Sequence, residues 1–556
     1  MKNPLIDQIL PNVQKPARYI GNELNSVHKD WEKTPIKVAI AYPDTYEIGM
    51  SNLGIQILYY ILNEQPDVLA ERVFAPWPDM ESLLVSKSVS LFSLESWKPI
   101  SEFGLIGFGI GHELTYTNII NMLKLGNIPI WQKDRKDSDP LIMGGGPCTF
   151  NPEPVADFFD FFVIGEAEEV LLEIVNVLRN SELRTRNSKL ERLSKLPGIY
   201  VPSLKNNVVK QTIKDLNNTP YPTQPIIPFI EAIHDRAVVE IMRGCKWGCK
   251  FCQAGWTCRP VREKPMEKII EIADDLIKNT GHEELSLVSL STSDYSKILE
   301  LAQTLAKKYE GKRINISLPS MRTNTFSINL AKEVSRVRPS GVTLAPEAGT
   351  QRLRDVIGKN MSEEDIINGV NGAFSAGMES IKLYFMIGLP TETDEDLLGI
   401  CELAKKIHGI GKKLTRRARI TVNLATFIPK PHTPLQWEKQ ISIEESLQRQ
   451  RLIKQNLKVK GIDVRWHQAE ASFLEGVFAR GDRKLSKVIE KAWELGCRLD
   501  AWSEHLKFDI WLKAFAECGI DPNDYLKARK TDEPLPWDFI DTGVPKEILL
   551  RAKNSN

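Results

Sequence analysis

Cys245, Cys249 and Cys252 stand at C-x3-C-x2-C spacing in the stretch Arg243-Gly244-Cys245-Lys246-Trp247-Gly248-Cys249-Lys250-Phe251-Cys252, directly after a short apolar run. Three thiolates on one tight loop hold three irons of a [4Fe-4S] cluster and leave the fourth iron open to a ligand that the protein does not supply. An open iron points to chemistry more than to electron storage. A zinc site, or a closed electron-transfer cluster with Cys258 or Cys148 as fourth ligand, is the alternative use of the same residues. Cys401, Cys497 and Cys518 stand alone and read as core residues.

A loop of this kind needs a strand to carry it and further strands beside it. Candidate strands at Ala237 to Met242, Leu285 to Leu290, Ile314 to Leu318, Gly341 to Leu344, Ile381 to Met386 and Ile420 to Leu424 leave room for a helix between each pair. That alternation predicts a full or partial βα barrel of TIM type, with its site at the carboxyl ends of the strands. The cysteine loop follows the first of them. Upstream, Ile36 to Ala41, Leu105 to Ile110, Pro140 to Met143 and Phe161 to Ile164 are short apolar runs, the last two ending in glycine. They predict a parallel Rossmann-like α/β sheet with ligands beyond its carboxyl edge.

The resulting division is an N-terminal arm at 1–35, packed on a later domain, an α/β ligand-binding domain at 36–180, a linker at 181–235, the barrel at 236–437 and a helical C-terminal region at 438–556. Within the linker, Gly198 to Pro202 reads as an isolated strand. The C-terminal region is rich in tryptophan, and its tail, with Pro534-Leu535-Pro536-Trp537, reads as a docked extended segment.

Size and composition set the bounds. A chain of 556 residues exceeds one ordinary core, and 42% hydrophobic content, 26% charged content and a net charge of +1 describe a globular protein with no global field for nucleic acid or membrane. Eight cysteines, three of them within eight positions, suit a metal site in a reducing compartment, so the cytoplasm is expected. No run of ~18 uncharged apolar residues is present, and no membrane segment is expected. The basic run Lys412, Lys413, Arg416, Arg417, Arg419 reads as a solvated face.

The cysteine spacing and its context, Glu240-Ile241-Met242-Arg243-Gly244 before and Gln253-Ala254-Gly255 after, resemble the radical S-adenosylmethionine superfamily. The resemblance implies that Cys245, Cys249 and Cys252 hold a [4Fe-4S] cluster and that S-adenosylmethionine binds the open iron. There it is cleaved to methionine and a 5′-deoxyadenosyl radical. It further implies cofactor contacts at Phe251 in the loop and at Ser291 and Thr292, where Ser-Thr-Ser-Asp departs from the usual Gly-Gly-Glu-like motif. Arg322 would pair with the cofactor carboxylate, Glu347 would accept from the ribose hydroxyls, and Gly388 and Pro390 would lie beside the adenine. A reductant such as flavodoxin or ferredoxin is implied, with the substrate unknown.

The N-terminal sheet resembles the cobalamin-binding domain that precedes the barrel in one class of the superfamily. Asp44-Thr45-Tyr46-Glu47-Ile48-Gly49 stands where that class has D-x-H-x-x-G, so Tyr46 replaces the histidine that bonds cobalt. Tyr46, Gly49, Gly144, Gly145 and Gly165 are the implied cobalamin contacts. With Tyr19-Ile20-Gly21 and the stretch Ser472 to Asp482, nearly the whole chain is similar to an uncharacterised family of cobalamin-domain radical S-adenosylmethionine proteins. The implied activity is cobalamin-dependent methyl transfer to an unactivated carbon. A radical rearrangement or oxidation without methyl transfer, and a non-catalytic iron-sulfur binding or maturation partner, are the alternatives. Two polar clusters, His467 with Glu470, Arg480, Asp482 and Arg483, and Trp502 to His505, are candidates for the barrel mouth.

Overall fold

The computed structural model describes residues 4–322 and 341–555. The chain forms two compact units, one of residues 1–235, 478–522 and 534–543, the other of 236–477, 523–533 and 544–556. Among the described residues no helix is long and apolar enough to cross a membrane.

In the first unit β1 (Ile36–Tyr42), β2 (Val68–Phe74), β3 (Leu105–Gly109), β4 (Leu141–Gly145), β5 (Phe161–Val163) and β6 (Ile199–Tyr200) make one sheet in the order β2-β1-β3-β4-β5-β6. The first five are parallel and β6 runs antiparallel to β5. The crossover that sends β2 to one side of β1 and β3 to the other puts a topological switch point between β1 and β3, where doubly wound sheets bind ligands.

β2 is fully buried although it carries Glu71 and Arg72. Arg72 is held by Glu23 at 2.7 Å and Glu95 at 2.7 Å. This pairing brings the N-terminal segment, expected to pack on a later domain, onto the first sheet. The expected linker at 181–235 is structured and belongs to the same unit. It contributes a helix (Arg186–Leu193), strand β6 and a two-residue strand β7 (Val208–Val209), which pairs with Ile540–Asp541. Beneath the sheet, Asp160 is fully buried and takes both Arg135 and Arg186.

The second unit carries β8 (Ala237–Glu240), a short antiparallel hairpin of β9 (Met242–Arg243) and β10 (Arg262–Glu263), then β11 (Glu284–Val288) and β12 (Asn315–Ser317). The order β12-β11-β8 is parallel. A second parallel sheet follows in chain order: β13 (Val342–Glu347), β14 (Ser380–Ile387), β15 (Arg419–Thr426) and β16 (Ile462–Trp466). The helices between strands begin at clear signals: Ser362, Thr393 and Ser442 each close a capping box with an acid three residues on. The segment between β12 and β13 at 323–340, where a helix is expected, lies outside the described residues.

Strand β16 lies beyond the expected end of the barrel at 437, so the sheet continues into the region read as purely helical. That C-terminal region is also divided: residues 478–522 and 534–543 pack with the first unit. There Asp500 accepts from Thr117 and from the Trp511 indole, and the Trp502 indole donates to Asp44 at 2.8 Å. The proline segment of the tail is non-helical and docked, with Trp537 buried and Ile540–Asp541 paired to β7, and the tail then ends in a helix (Lys546–Asn554).

Candidate functional site

Gly244 starts the cysteine loop with φ +81°, and a Cβ there would meet the carbonyl oxygens of Pro260 at 2.6 Å and Cys258 at 2.8 Å. Only glycine fits that turn. The β9–β10 hairpin closes the loop by pairing Arg243 with Arg262. Inside it the backbone is pinned at several points. The Lys250 amide donates to Ile357 O at 2.9 Å, the Trp256 indole to Cys249 O at 3.0 Å, and Arg259 Nη2 to Trp247 O at 3.1 Å. The Lys250 ammonium donates to Ser555 O, which ties the C-terminal helix to the loop.

Cys249 is buried and Cys245 and Cys252 are half-buried. Cys252 caps the short helix Gln253–Thr257, accepting from the Gly255 amide at 3.3 Å. Burial, aided by the neighbouring Cys249 and Cys245 sulfurs and by Glu347, pushes the Cys252 thiol up to about 11. Burial also raises Cys245. Three thiols gathered in one pinned loop fit a multinuclear cation whose binding expels their protons. The donor set therefore suits an iron-sulfur cluster.

Three strand ends supply the surroundings. After β11, Ser291 and Thr292 are buried, but their hydroxyls are engaged locally: Ser291 donates to Asp294, and Thr292 lies 3.3 Å from Leu287 O. Asp294, which motif reasoning passed over, is the residue that reaches the loop. It accepts from the Trp247 indole and pairs with Lys246 at 3.0 Å. After β12, Arg322 is buried with its guanidinium 4.0 Å from the Trp247 ring centroid, Nη1 3.7 Å from Cys249 Sγ, and Nη2 on Lys359 O. Its guanidinium thus faces the cysteine loop and the Lys359 and Asn360 carbonyls.

At the end of β13, Glu347 adopts φ +67° beside a bulge, a left-handed conformation that a non-glycine residue holds only when its surroundings impose it. Its carboxylate accepts from Lys359 at 3.1 Å. Phe251 packs against Ala348, Leu353, Ile357, Leu389, Phe427 and Leu435, so it anchors the loop in the apolar core. After β14, Gly388 turns with φ +83° over Ile441. The Gly388 amide donates to Glu392 at 2.9 Å, Arg449 pairs with the same carboxylate at 2.9 Å, and Pro390 is half-buried beside them.

Glu392 carries a pH prediction. Burial, opposed by these bonds, raises its carboxyl from 4.5 to about 7. The folded chain then holds a proton that the unfolded chain releases, so this group's contribution is greatest below pH 4.5 and declines as pH rises toward 7. Glu392→Gln is expected to flatten that decline, measured as unfolding midpoint against pH. An unchanged slope would show that Glu392 is ionised throughout.

In the first unit the cobalamin-type positions are placed differently from expectation. Tyr46 is buried, its hydroxyl donates to Glu23 at 2.9 Å and its ring meets Phe74 edge-on. A Cβ on Gly49 would strike the Phe74 ring at 2.1 Å, one on Gly144 the Phe162 ring at 2.5 Å, and one on Gly165 the Gln211 carbonyl at 2.2 Å. These three glycines serve internal packing. Gly145 alone has nothing within 4 Å of its Cβ direction. Of the two polar clusters, Arg480 is fully buried, Arg483 pairs with Glu153 at 2.8 Å, and Trp502 and His505 pack edge-on against Trp77, all in the first unit, whereas His467 and Glu470 follow the carboxyl end of β16 in the second.

Residues 239–404 match the radical SAM superfamily, and residues 54–202 match the N-terminal region of radical SAM proteins. An uncharacterised protein of Methanocaldococcus jannaschii is 30% identical over 493 residues, spanning 87% of this chain and 98% of that one. The chain belongs to the radical SAM superfamily. It is a radical SAM enzyme, and the superfamily implies a [4Fe-4S] cluster and S-adenosylmethionine as its cofactors.

Two further likenesses are more distant. An uncharacterised methyltransferase of Pyrococcus horikoshii is 26% identical over 274 residues, 48% of this chain and 58% of that protein, so the match spans little more than half of its length. The cobalamin-dependent S-adenosylmethionine radical enzyme OxsB, with aqua-cobalamin and S-adenosylmethionine bound, aligns with a TM-score of 0.53 at 13% identity over 99% of this chain and 83% of that one. At that identity the likeness shows the fold: an N-terminal parallel Rossmann-like sheet, a radical SAM domain of parallel sheets, and C-terminal helices.

Proposed function

We propose that this radical SAM enzyme cleaves S-adenosylmethionine reductively at a [4Fe-4S] cluster on Cys245, Cys249 and Cys252, and directs the radical at an unactivated carbon of its substrate. The observation that carries the reading is the pinned loop of three thiols with Asp294, Arg322 and Glu347, from three successive strand ends, grouped around it. When bound, such a cluster delivers one electron to the sulfonium, which breaks into methionine and a 5′-deoxyadenosyl radical. The side chains bind and orient. Glu347, fixed in its left-handed turn, is an acceptor for ribose hydroxyls, and Lys359 beside it is a buried cation for a carboxylate. The Gly388-Leu389 turn, held by Glu392, offers backbone and apolar surface for a base. The electron donor is a small reductant of the flavodoxin or ferredoxin class.

Anaerobic incubation of the reconstituted chain with S-adenosylmethionine and dithionite is expected to yield 5′-deoxyadenosine. An intact cluster that produces none sinks the cleavage reading and favours a non-catalytic iron-sulfur partner.

Methyl transfer with cobalamin as carrier is a second reading. It is favoured by the sheet order around the β1/β3 switch point and by the open position at Gly145, and the likeness to OxsB and to the Pyrococcus methyltransferase supports it. Tyr46, Gly49, Gly144 and Gly165 do not fit as contacts, because each is occupied by the protein's own packing. Cobalamin that co-elutes with the protein in gel filtration supports methyl transfer, and its failure to co-elute leaves a rearrangement or an oxidation.

A further inference from the structure

Asp294 ends the Ser-Thr-Ser-Asp segment expected to bind the methionine amino group, and its side chain is 2% exposed. Its carboxylate gathers the Trp247 indole N–H, the Ser291 hydroxyl and the Lys246 ammonium. Two of those partners belong to the three residues between Cys245 and Cys249. One buried carboxylate therefore grips the wider of the two cysteine spacings from a neighbouring strand end.

The indole it holds is in turn a platform. Arg322 stacks on Trp247 at 4.0 Å and directs Nη1 to Cys249 Sγ at 3.7 Å, while Nη2 is fixed on Lys359 O. A guanidinium stacked on an aromatic face has a defined plane and keeps its charge. Its amide neighbour is fixed too, since Arg322 N donates to Ser293 Oγ at 3.0 Å, one residue from Asp294. The chain of contacts runs Asp294, Trp247, Arg322, Cys249 Sγ without a gap.

We propose that Asp294 is a positioning residue that, through Trp247, holds the Arg322 guanidinium against the Cys249 sulfur and thereby sets the reduction potential of the cluster. Hydrogen bonds to cluster sulfurs and local charge tune such potentials. The electron that enters on reduction adds negative charge at the sulfurs, and a cationic donor aimed at one of them stabilises the reduced form. Withdrawing that donor lowers the midpoint. The proposal rests on the cluster reading above.

The test is a dithionite titration of anaerobically reconstituted chains, followed by electron paramagnetic resonance, with iron and sulfide counted for each. Trp247→Phe keeps a ring but loses the indole N–H. Arg322→Gln removes the cation. Both are expected to retain iron and to show a lowered midpoint, and the double variant should match R322Q alone, since Trp247 acts through Arg322. A wild-type midpoint in W247F overturns the brace, as does a W247F shift that persists undiminished in the R322Q background. Should W247F fold but hold no cluster, Arg322→Lys decides: lysine keeps the charge and loses the planar stack, so a lowered midpoint supports the brace and a wild-type midpoint overturns it. If the wild-type chain itself takes up no iron, the cluster assignment fails and the fault lies there.

Discussion

Cys249→Ala is expected to leave the chain folded and nearly free of iron and sulfide after anaerobic reconstitution. Loss of an outer-shell partner alone costs metal sites about 10–100-fold in affinity, and loss of a ligand costs more. Cys249 is the buried member of the three, lies between the other two in the chain, and carries the Arg322 contact on its sulfur. Its backbone carbonyl is separately held by the Trp256 indole, so the loop keeps its path when the sulfur is removed. Two controls give the result its meaning. Cys401, whose thiol faces the Leu397 and Ile453 carbonyls in the core, should be replaceable by alanine with full iron retained. Cys258→Ala tests the closed four-cysteine alternative: iron retention with cleavage of S-adenosylmethionine excludes it as a ligand. A C249A chain with wild-type iron content would end the cluster assignment.

Glu23→Ala is expected to cost about 3–5 kcal/mol, the usual penalty for breaking a buried ion pair and stranding its partner. Arg72 is 1% exposed and takes Glu23 and Glu95 on opposite sides, and the Tyr46 hydroxyl completes the cluster on Glu23. Amide exchange across β1 and β2 should accelerate by about two to three and a half orders of magnitude, the same energy read locally. Asp30→Ala, on an exposed pair with Lys33, should change little by the same measurement. The pH dependence has a definite sign. Burial pushes the Glu23 carboxyl up, but the charge and hydrogen bonds of Arg72 outweigh it and hold it below 4.5. Its stabilisation is therefore complete above pH 4.5 and is lost as pH falls through the lower folded value. If E23A exchanges as slowly as the wild type, Arg72 is satisfied without it.

The same cluster shows why part of the fold is hidden in the sequence. Val68 to Phe74 does not read as a strand, because Glu71 and Arg72 interrupt its apolar run. They are tolerated in the centre of a sheet because Glu23 and Glu95, each more than twenty residues from Arg72, neutralise the guanidinium, and because Ser96 donates to Glu71. β16 is missed for a related reason. Ile462-Asp463-Val464-Arg465-Trp466 alternates apolar and polar residues, but over five positions only and between helical stretches, and its place is decided by pairing with β15. Burial in a parallel sheet is a property of the neighbours, which local periodicity does not contain.

Site residues divide along the same line. The grouping of Cys245, Cys249 and Cys252 in one loop was legible because a metal loop writes its candidate ligands at short spacing in one segment. Glycines before turns were legible as turns, but not as to whether the freed space faces a ligand. Gly49 and Gly144 look like ligand glycines and are filled by Phe74 and Phe162. Phe251 sits between Cys249 and Cys252 and packs against the core. Asp294, Lys359 and Glu392 were not singled out as contacts, yet Asp294 and Glu392 meet the site from beyond β11 and β14, and Lys359 from the turn after the helix Gln351–Val356.

By itself the sequence determined the three-cysteine loop, most of the alternation of strands and helices, and membership of the superfamily, since each is encoded in contiguous residues. Tertiary structure alone decided that Arg322 turns to Cys249, that Tyr46 is a buried partner of Glu23, and that the C-terminal tryptophans are shared between two units. Those outcomes depend on which distant charges and rings are brought within a few ångströms, and a buried polar group takes whichever partner folding delivers to it.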